Sequence, residues 1–566
     1  MLNKREKSLY NFKIIIYCSG VLLCYVILSC ATLIQTILDT TWPLSHERDA
    51  FLFRTYIYVQ HFKQGDFFPI WAASDNWGYG SPLPILYHKL FYYFAAILYI
   101  VFKSYKLAFV LSTVLLLVVG AVGIYQVCRY IGSSPFASFC GGGMLIVANY
   151  TVTNWLIRAA FAEFSAAMIF PWMFLAFLEA LQKKQITVKL FCITVVMILA
   201  HSVLAYYAIL LLAVVGVVFA FLTRTISEFL SPRTWYVPIL LSLFSLVFLC
   251  VVYLPAVILG RDYDISRILS EPYQPRWQIK PFIQYFWDSA WNWGITETSY
   301  TVQLDWAPLF FSVVGLIILF WPSWLWPKTK FLLRPLNRGA CFLLFLMAFI
   351  LFLGIFLQTH WSLLFYENVP GAAYIQFPWR LLAFITPLMI VFSLTLITLP
   401  QFRNMRRYEN ICAGASLLMM IVNCGAFTRI HYDSLKQIEL PDGTAQGMSF
   451  SYAKEYVPKN AGFKKLVNPF CQVTRTSLQS EQISVDFIVR CTKTSVVSFE
   501  IYKSLGHRVE INGIQKPCEM NLEYPALCSV TVPEGQTDVL IHMPTYKKFI
   551  AAIWYQIFDG KSKRQQ

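Results

Sequence analysis

Charge is scarce in this chain. Charged residues fill 13% of its 566 positions and hydrophobic residues 57%, whereas an ordinary soluble domain carries about 25% charge. A conventional soluble enzyme is thereby excluded, and runs of about 18 or more apolar residues read as membrane-crossing helices. Several short motifs are missing too. There is no Walker A loop, no GxGxxG, no HExxH, no CxxC pair and no Gly-x-Ser-x-Gly elbow, so ATP-driven transport, nicotinamide chemistry and the common zinc and serine sites have no support. No cofactor is expected; a divalent metal is compatible with a first-loop carboxylate but has no supporting motif. A cleavable signal peptide is not expected either, because the apolar run 14–38 is too long for one and lacks a small-residue cleavage site. Internal repeats and low-complexity tracts are absent as well.

What is present is a series of apolar runs at about 14–38, 86–102, 107–128, 135–153, 161–181, 188–205, 207–223, 236–258, 307–326, 340–358, 380–399 and 411–427. The net charge of +16 follows the positive-inside bias of a membrane protein and implies no nucleic-acid partner. Lys4, Arg5, Lys7 and Lys13 against Glu6, the Lys183, Lys184 and Lys189 set, the 328–338 bases and the 403–409 segment are all net positive. The long loops 39–85 and 260–305 are each −2. These signs put the N-terminus inside and both loops outside. They hold along the whole chain only if the short, tyrosine-bearing segment 86–102 is re-entrant, which gives about eleven spans.

From about 428 the pattern changes to period-two alternation, as in SVDFIVR and TDVLIHM, with Asn512-Gly513 as a hairpin signal. The expected division is a helix bundle over 1–427, an extracytoplasmic β-rich, sandwich-like domain over 428–545, and a short interfacial helix with a basic tail over 546–566. Ten of the fourteen cysteines lie in or beside apolar runs. The other four, Cys471, Cys491, Cys518 and Cys528, suit disulfides in an oxidising compartment, and three pairings are open.

Ionisable groups at membrane depth are costly and point to function. Loop 39–85 carries His46, Glu47, Arg48, Asp49 and Arg54, followed by Trp71, Trp77 and Tyr79 among glycines and prolines. A carboxylate there suits a general base and an arginine suits a phosphate, although a solvated turn would look similar. Arg158 and Glu163 stand five apart at the head of a span, which sets them on adjoining helix faces rather than in register. His201 lies near the outer end of another span, where a hydrogen-bonded core histidine is the plainer reading. Arg261 and Asp262 open an aromatic-rich loop suited to sugar stacking or to an interfacial belt. The stretch 374–380 contains Gln376, Trp379 and an outward Arg380, which runs against the positive-inside trend and invites a lipid phosphate.

The ordered series HERDAFLFR (46–54), QGDFFPIWAASDNWGYGSPLPILYHKLFYY, WLIRAAFAEFSAAMIFPW, LAHS, ILGRDYD, YIQFPWRLL and AKEYVP, closed by a β-rich tail, resembles a bacterial membrane-protein family labelled "6-pyruvoyl-tetrahydropterin synthase-related". That family is similar in architecture to GT-C glycosyltransferases. The resemblance implies a mainly α, polytopic GT-C-like bundle with an acidic catalytic residue in its first outer loop, best placed at Asp49 with Glu47 as rival. It implies a polyprenyl-phosphate-linked sugar as donor, membrane lipid around it, and a glycan, lipid or protein acceptor at the outer face of the cytoplasmic membrane. A non-catalytic lipid-linked glycan transporter or envelope-assembly scaffold is the alternative.

Overall fold

Long apolar runs fold as helices because only a helix satisfies each backbone N–H and C=O within the run. The computed structural model describes residues 4–225 except 40, 44, 46, 48 and 49; 243; 256–287 except 264, 270 and 272; 302–320; 338–398; 406–439 except 435–436; and 457–558 except 459–460, 462–465, 478–482 and 520. The principal helices are α1 (Lys4–Thr32), α2 (Ala50–Lys63), α3 (Leu90–Phe102), α4 (Tyr105–Ile131), α5 (Pro135–Val147), α6 (Phe161–Lys183) and α7 (Val188–Ala200). They continue with α8 (Ser202–Leu222), α9 (Trp306–Phe320), α10 (Arg338–Phe356), α11 (Leu363–Asn368), α12 (Leu382–Thr398), α13 (Arg406–Ser434) and α14 (Tyr546–Phe558). The strands are β1 (Thr41–Pro43), β2 (Gln437–Glu439), β3 (Cys471–Arg475), β4 (Ser484–Cys491), β5 (Ser495–Tyr502), β6 (Arg508–Ile511), β7 (Ile514–Pro517), β8 (Leu527–Val532) and β9 (Gly535–His542).

Five described helices are long and apolar enough to cross a membrane: α4, α6, α8, Pro378–Thr398 and Arg406–Ala426. Two bent pairs raise the number to seven if each is one span: Pro135–Val147 with Asn149–Ile157, bent by 41°, and Leu344–Phe356 with His360–Asn368, bent by 87°. The expected run 236–258 lies outside the described residues apart from 243 and 256–258. The segment 86–102 forms α3, which has 13 residues. At 1.5 Å per residue it measures about 20 Å, short of the roughly 30 Å hydrocarbon core.

The chain forms two compact units. The first comprises Met1–Arg48, Lys106–Leu241 and Glu271–Leu440; the second comprises Asp49–Tyr105, Ser242–Ser270 and Pro441–Gln566. This differs from the expected division at 427: most of the first outer loop and α3 group with the β-rich tail. The physical reason is apolar burial at long range, since Ile70, Trp71, Ala73 and Ile85 join the core of that tail.

In the first unit α12 lies against α5, α6, α9 and α10. The most apolar stretches of α6 and of Pro378–Thr398 are each 89% buried, against 28% for Arg406–Ala426, so these two form the centre of the unit. Gly142 on α5 allows a close helix crossing, because a Cβ there would stand 2.6 Å from Ala121 O. β1 and β2 pair antiparallel, Thr41 opposite Glu439. Between them and the helices, fully buried Trp42 packs against Phe109 and Phe161, with ring centroids 5.8 and 6.4 Å apart. This anchor fixes the start of the first loop.

In the second unit the sheets run β3-β4-β9-β6-β7 and β5-β8. Alternation along β4 sends Val485, Phe487 and Val489 inward, where they meet Val497, Phe499, Val530 and Ile541. Disulfides join Cys471 to Cys491 and Cys518 to Cys528. The first lies across the β3–β4 ladder, where these residues are direct partners. The expected helix at 546 is present as α14, which turns Phe549 and Ile553 into the β core.

His507 gives this unit a dependence on pH. It is 2% exposed, its Nδ1 accepts from the Ser504 N–H at 3.0 Å, and its ring meets Trp71 edge-on at 5.0 Å. Burial lowers its pKa from 6.5 to about 4. The unfolded chain therefore takes the proton first, and stability is full above pH 6.5 and falls until about pH 4. The expected loss is about 3 kcal/mol, read as a fall in the melting point of the β domain in wild type but not in His507→Gln.

Candidate functional site

The site begins with a break in the backbone. After α5 the chain makes a π turn at Thr153–Ile157, with Arg158 N–H bonded to Thr153 O at 2.9 Å and Ala160 N–H to Asn154 O at 2.9 Å. Ala159 then adopts φ 48°, a left-handed conformation uncommon for a residue with a Cβ. π turns and such outliers gather at functional positions. The break removes the helical spacing expected between Arg158 and Glu163, so the two side chains meet face to face.

Glu163 sits in the first turn of α6 and is 2% exposed. Arg158 grips it with both terminal nitrogens, Nη1 to Oε1 at 2.6 Å and Nη2 to Oε2 at 3.0 Å. Nη1 of Arg158 also donates to Asn154 Oδ1 at 2.5 Å, and its guanidinium lies over the Trp379 ring, 4.4 Å from the centroid. The Tyr150 hydroxyl donates to Glu163 Oε1. Arg380 arrives from the turn Pro378–Leu381 with Nε 3.2 Å from Glu163 Oε2. Its Nη1 donates to Ile375 O at 3.0 Å and to Gln376 Oε1 at 3.1 Å. Gln376 is itself strained, at φ 59° and ψ −52°.

One carboxylate thus faces two guanidiniums. Within hydrogen-bond contact the cluster carries a surplus positive charge. Arg380 is the more open of the two, its side chain 14% exposed against 5% for Arg158. Its Nη2 has no hydrogen-bond partner among the described residues. An arginine anchored through Nη1 and Nε, with Nη2 left over, is suited to a phosphate or other oxyanion. The first loop comes to the same place: the Glu47 N–H donates to Arg158 O at 3.0 Å.

The structure brings together Arg158, Glu163, Gln376, Trp379 and Arg380, with the main chain of Glu47. His46, Arg48 and Asp49 lie outside the described residues. His201 is in the same unit, but its Nδ1 accepts from the Leu204 N–H at 3.2 Å and caps α8. The remaining candidates belong to the second unit. Arg54 stacks on Tyr87 at 3.9 Å and bonds the Tyr92 hydroxyl at 3.2 Å. Trp71 is fully buried, so its face is closed to a sugar, and Tyr79 packs on Tyr502 at 5.2 Å. Trp77 is 63% exposed. Arg261 and Asp262 lie on an exposed turn.

Sequence reading missed Tyr150, Asn154 and Asp305. The only signal for the first two is the polar run NYTVTN directly after an apolar one, and Asp305 is signalled only as the last acid of the outer loop 260–305. Asp305, 4% exposed, accepts from the Asn149 N–H at 3.0 Å, and Asn149 Oδ1 accepts from Asn423 at 2.8 Å. Burial pushes the Asp305 carboxyl up to about 7. This second cluster pins the entry to the broken segment. No group of three or more metal-ligating side chains occurs among the described residues.

No family model and no curated protein matches the chain. Among solved structures it is similar to the arabinofuranosyltransferase AftD from Mycobacteria, at TM-score 0.41 and 11% identity over 75% of this chain and 27% of that one. It is also similar to the Archaeoglobus fulgidus oligosaccharyltransferase, at 0.38 and 11% over 72% and 55%. A third likeness is to the archaeal oligosaccharyltransferase AglB from the same organism in complex with an inhibitory peptide and a dolichol-phosphate, at 0.35 and 14% over 74% and 55%. The chain spans between about a quarter and about half of these proteins.

Proposed function

We propose that this protein is an integral membrane glycosyltransferase of GT-C type. It moves a sugar from a polyprenyl-phosphate donor to an envelope glycan, lipid or protein acceptor at the outer face of the cytoplasmic membrane. The observation that carries the reading is Nη2 of Arg380, left over beside the buried Arg158–Glu163 pair. The donor phosphate meets Arg380. The acceptor hydroxyl oxygen attacks the anomeric carbon as the bond from that carbon to the phosphate oxygen breaks, and the electron pair leaves with the lipid phosphate. A first-loop carboxylate takes the acceptor proton. Glu47 is the acid whose main chain is tied to Arg158, and Asp49 is tested beside it. Arg380 stabilises the charge that grows on the leaving phosphate, the kind of preorganised electrostatics that dominates many barriers. The two disulfides suit the oxidising side of the membrane.

The test is sugar transfer from a panel of radiolabelled polyprenyl-phosphate sugars by purified protein in lipid. Wild type is expected to transfer or hydrolyse one donor, and either Glu47→Gln or Asp49→Asn is expected to lose turnover about 1,000-fold while still binding it. Binding of a donor without turnover across the whole panel would overturn the enzyme reading in favour of a lipid-glycan transporter.

A further inference from the structure

A chamber of about 260 Å³ lies within the helical unit between α8, α10, α11 and α12. No step above uses it. Tyr207, Leu211, Phe349, Leu353, Phe365 and Ile385 are among its lining residues, and every lining residue but Tyr207 is apolar. Even Tyr207 turns its hydroxyl away, donating to Ala372 O at 2.6 Å. α11 covers the chamber because the chain bends by 87° between α10 and His360–Asn368. The segment after α11 is held by the Tyr206 and Tyr207 hydroxyls on Pro370 O and Ala372 O.

The chamber adjoins the anion site. Leu381 lines it, and Leu381 follows Arg380 on the same short turn. An apolar space with no polar partner does not hold water; an engineered cavity of about 150 Å³ stays dry and takes a six-carbon ring. On that scale the volume here holds roughly ten carbons. Building on the donor proposed above, we infer that this chamber seats the first two isoprene units of the donor lipid beyond its phosphate. The protein then reads chain chemistry only over those ten or so carbons, and the remaining chain lies in the bilayer unread.

The test is competition binding of water-soluble prenyl monophosphates to purified full-length protein in nanodiscs. Affinity is expected to rise roughly 30-fold or more from the C5 dimethylallyl to the C10 geranyl phosphate, the conservative end of what five newly buried carbons give. It then stays within about threefold through farnesyl and geranylgeranyl phosphate. Val214→Trp and Leu353→Trp, both on the lining, are expected to cut the gain from dimethylallyl to geranyl phosphate about tenfold or more. Unaltered melting points of these variants keep the comparison valid, and two independent fillings guard against one that fails to fold. A continued climb beyond C10, or no gain from C5 to C10, would overturn the inference. Equal affinity for straight-chain decyl phosphate would overturn the prenyl occupant and assign the chamber to an acyl chain. The inference and the transfer reading fail separately: a plateau at C10 without any sugar transfer leaves the chamber and removes the enzyme, while transfer without a plateau does the reverse.

Discussion

Glu163→Gln is expected to destabilise the helical unit by about 3–5 kcal/mol and to abolish turnover. The size follows from what would remain. Glu163 takes both terminal nitrogens of Arg158 and the Nε of Arg380, and Arg158 is only 4% exposed. Removing the carboxylate leaves two guanidiniums facing a neutral amide in low dielectric. Breaking a buried pair from one side costs about that much, even where exchanging the whole pair for apolar groups would be close to neutral. The same logic supplies a control. Arg158→Met with Glu163→Leu removes both charges of the tightest contact and is expected to recover part of the lost stability, so a cycle of the two single changes and the double gives a coupling of about 2 kcal/mol or more. Reversible unfolding in bicelles reads both quantities. Additive losses in that cycle would mean that the two side chains stabilise the unit independently, and the cluster would then be a packing feature rather than an electrostatic one.

The cluster also shows how far the sequence could be read. Arg158, Glu163, Gln376, Trp379 and Arg380 are visible as polar groups in apolar surroundings, because charge at membrane depth is rare enough to be noticed. Their convergence is not visible. A straight helix turns residues five apart by about 140°, and only the π turn at Thr153–Ile157 and the left-handed Ala159 bring Arg158 onto Glu163. Nothing in TNWLIRAA declares a π turn. The distance between 163 and 380 is closed by the packing of α6 against α12, which no local pattern encodes. The β-rich tail was legible through alternation, and its four cysteines through their number, but their pairing depended on the β3–β4 register that sets Cys471 opposite Cys491. Trp71 illustrates the opposite failure. Its place among the glycines of the polar first loop marks it as a candidate site residue. A Cβ at Gly80 would instead stand 2.5 Å from Trp71 Nε1, so that glycine is there to let the indole be buried.

Arg380→Gln is expected to behave differently from Glu163→Gln, and the contrast separates chemistry from architecture. Without Arg380, Glu163 keeps both contacts to Arg158 and the Tyr150 hydroxyl, so the loss of stability should stay at about 2 kcal/mol, the scale of the partly exposed contacts that Arg380 itself makes. Turnover should nevertheless fall about 100- to 1,000-fold, as when one donor to a developing oxyanion is removed. If Arg380 meets the phosphate equally in ground and transition states, the loss appears in KM. If it acts on the charge released as the glycosidic bond to phosphate breaks, the loss appears in kcat. The second outcome is expected, because Nη1 and Nε are already held by Ile375 O, Gln376 and Glu163, and a guanidinium fixed at two nitrogens has its Nη2 donors aimed before the charge appears. Arg380→Lys is expected to recover less than about tenfold of the loss, since an ammonium cannot keep the anchoring contacts and still present a fixed donor to the phosphate. Full recovery by lysine would show that a point charge suffices and that the fixed fork contributes nothing to the step.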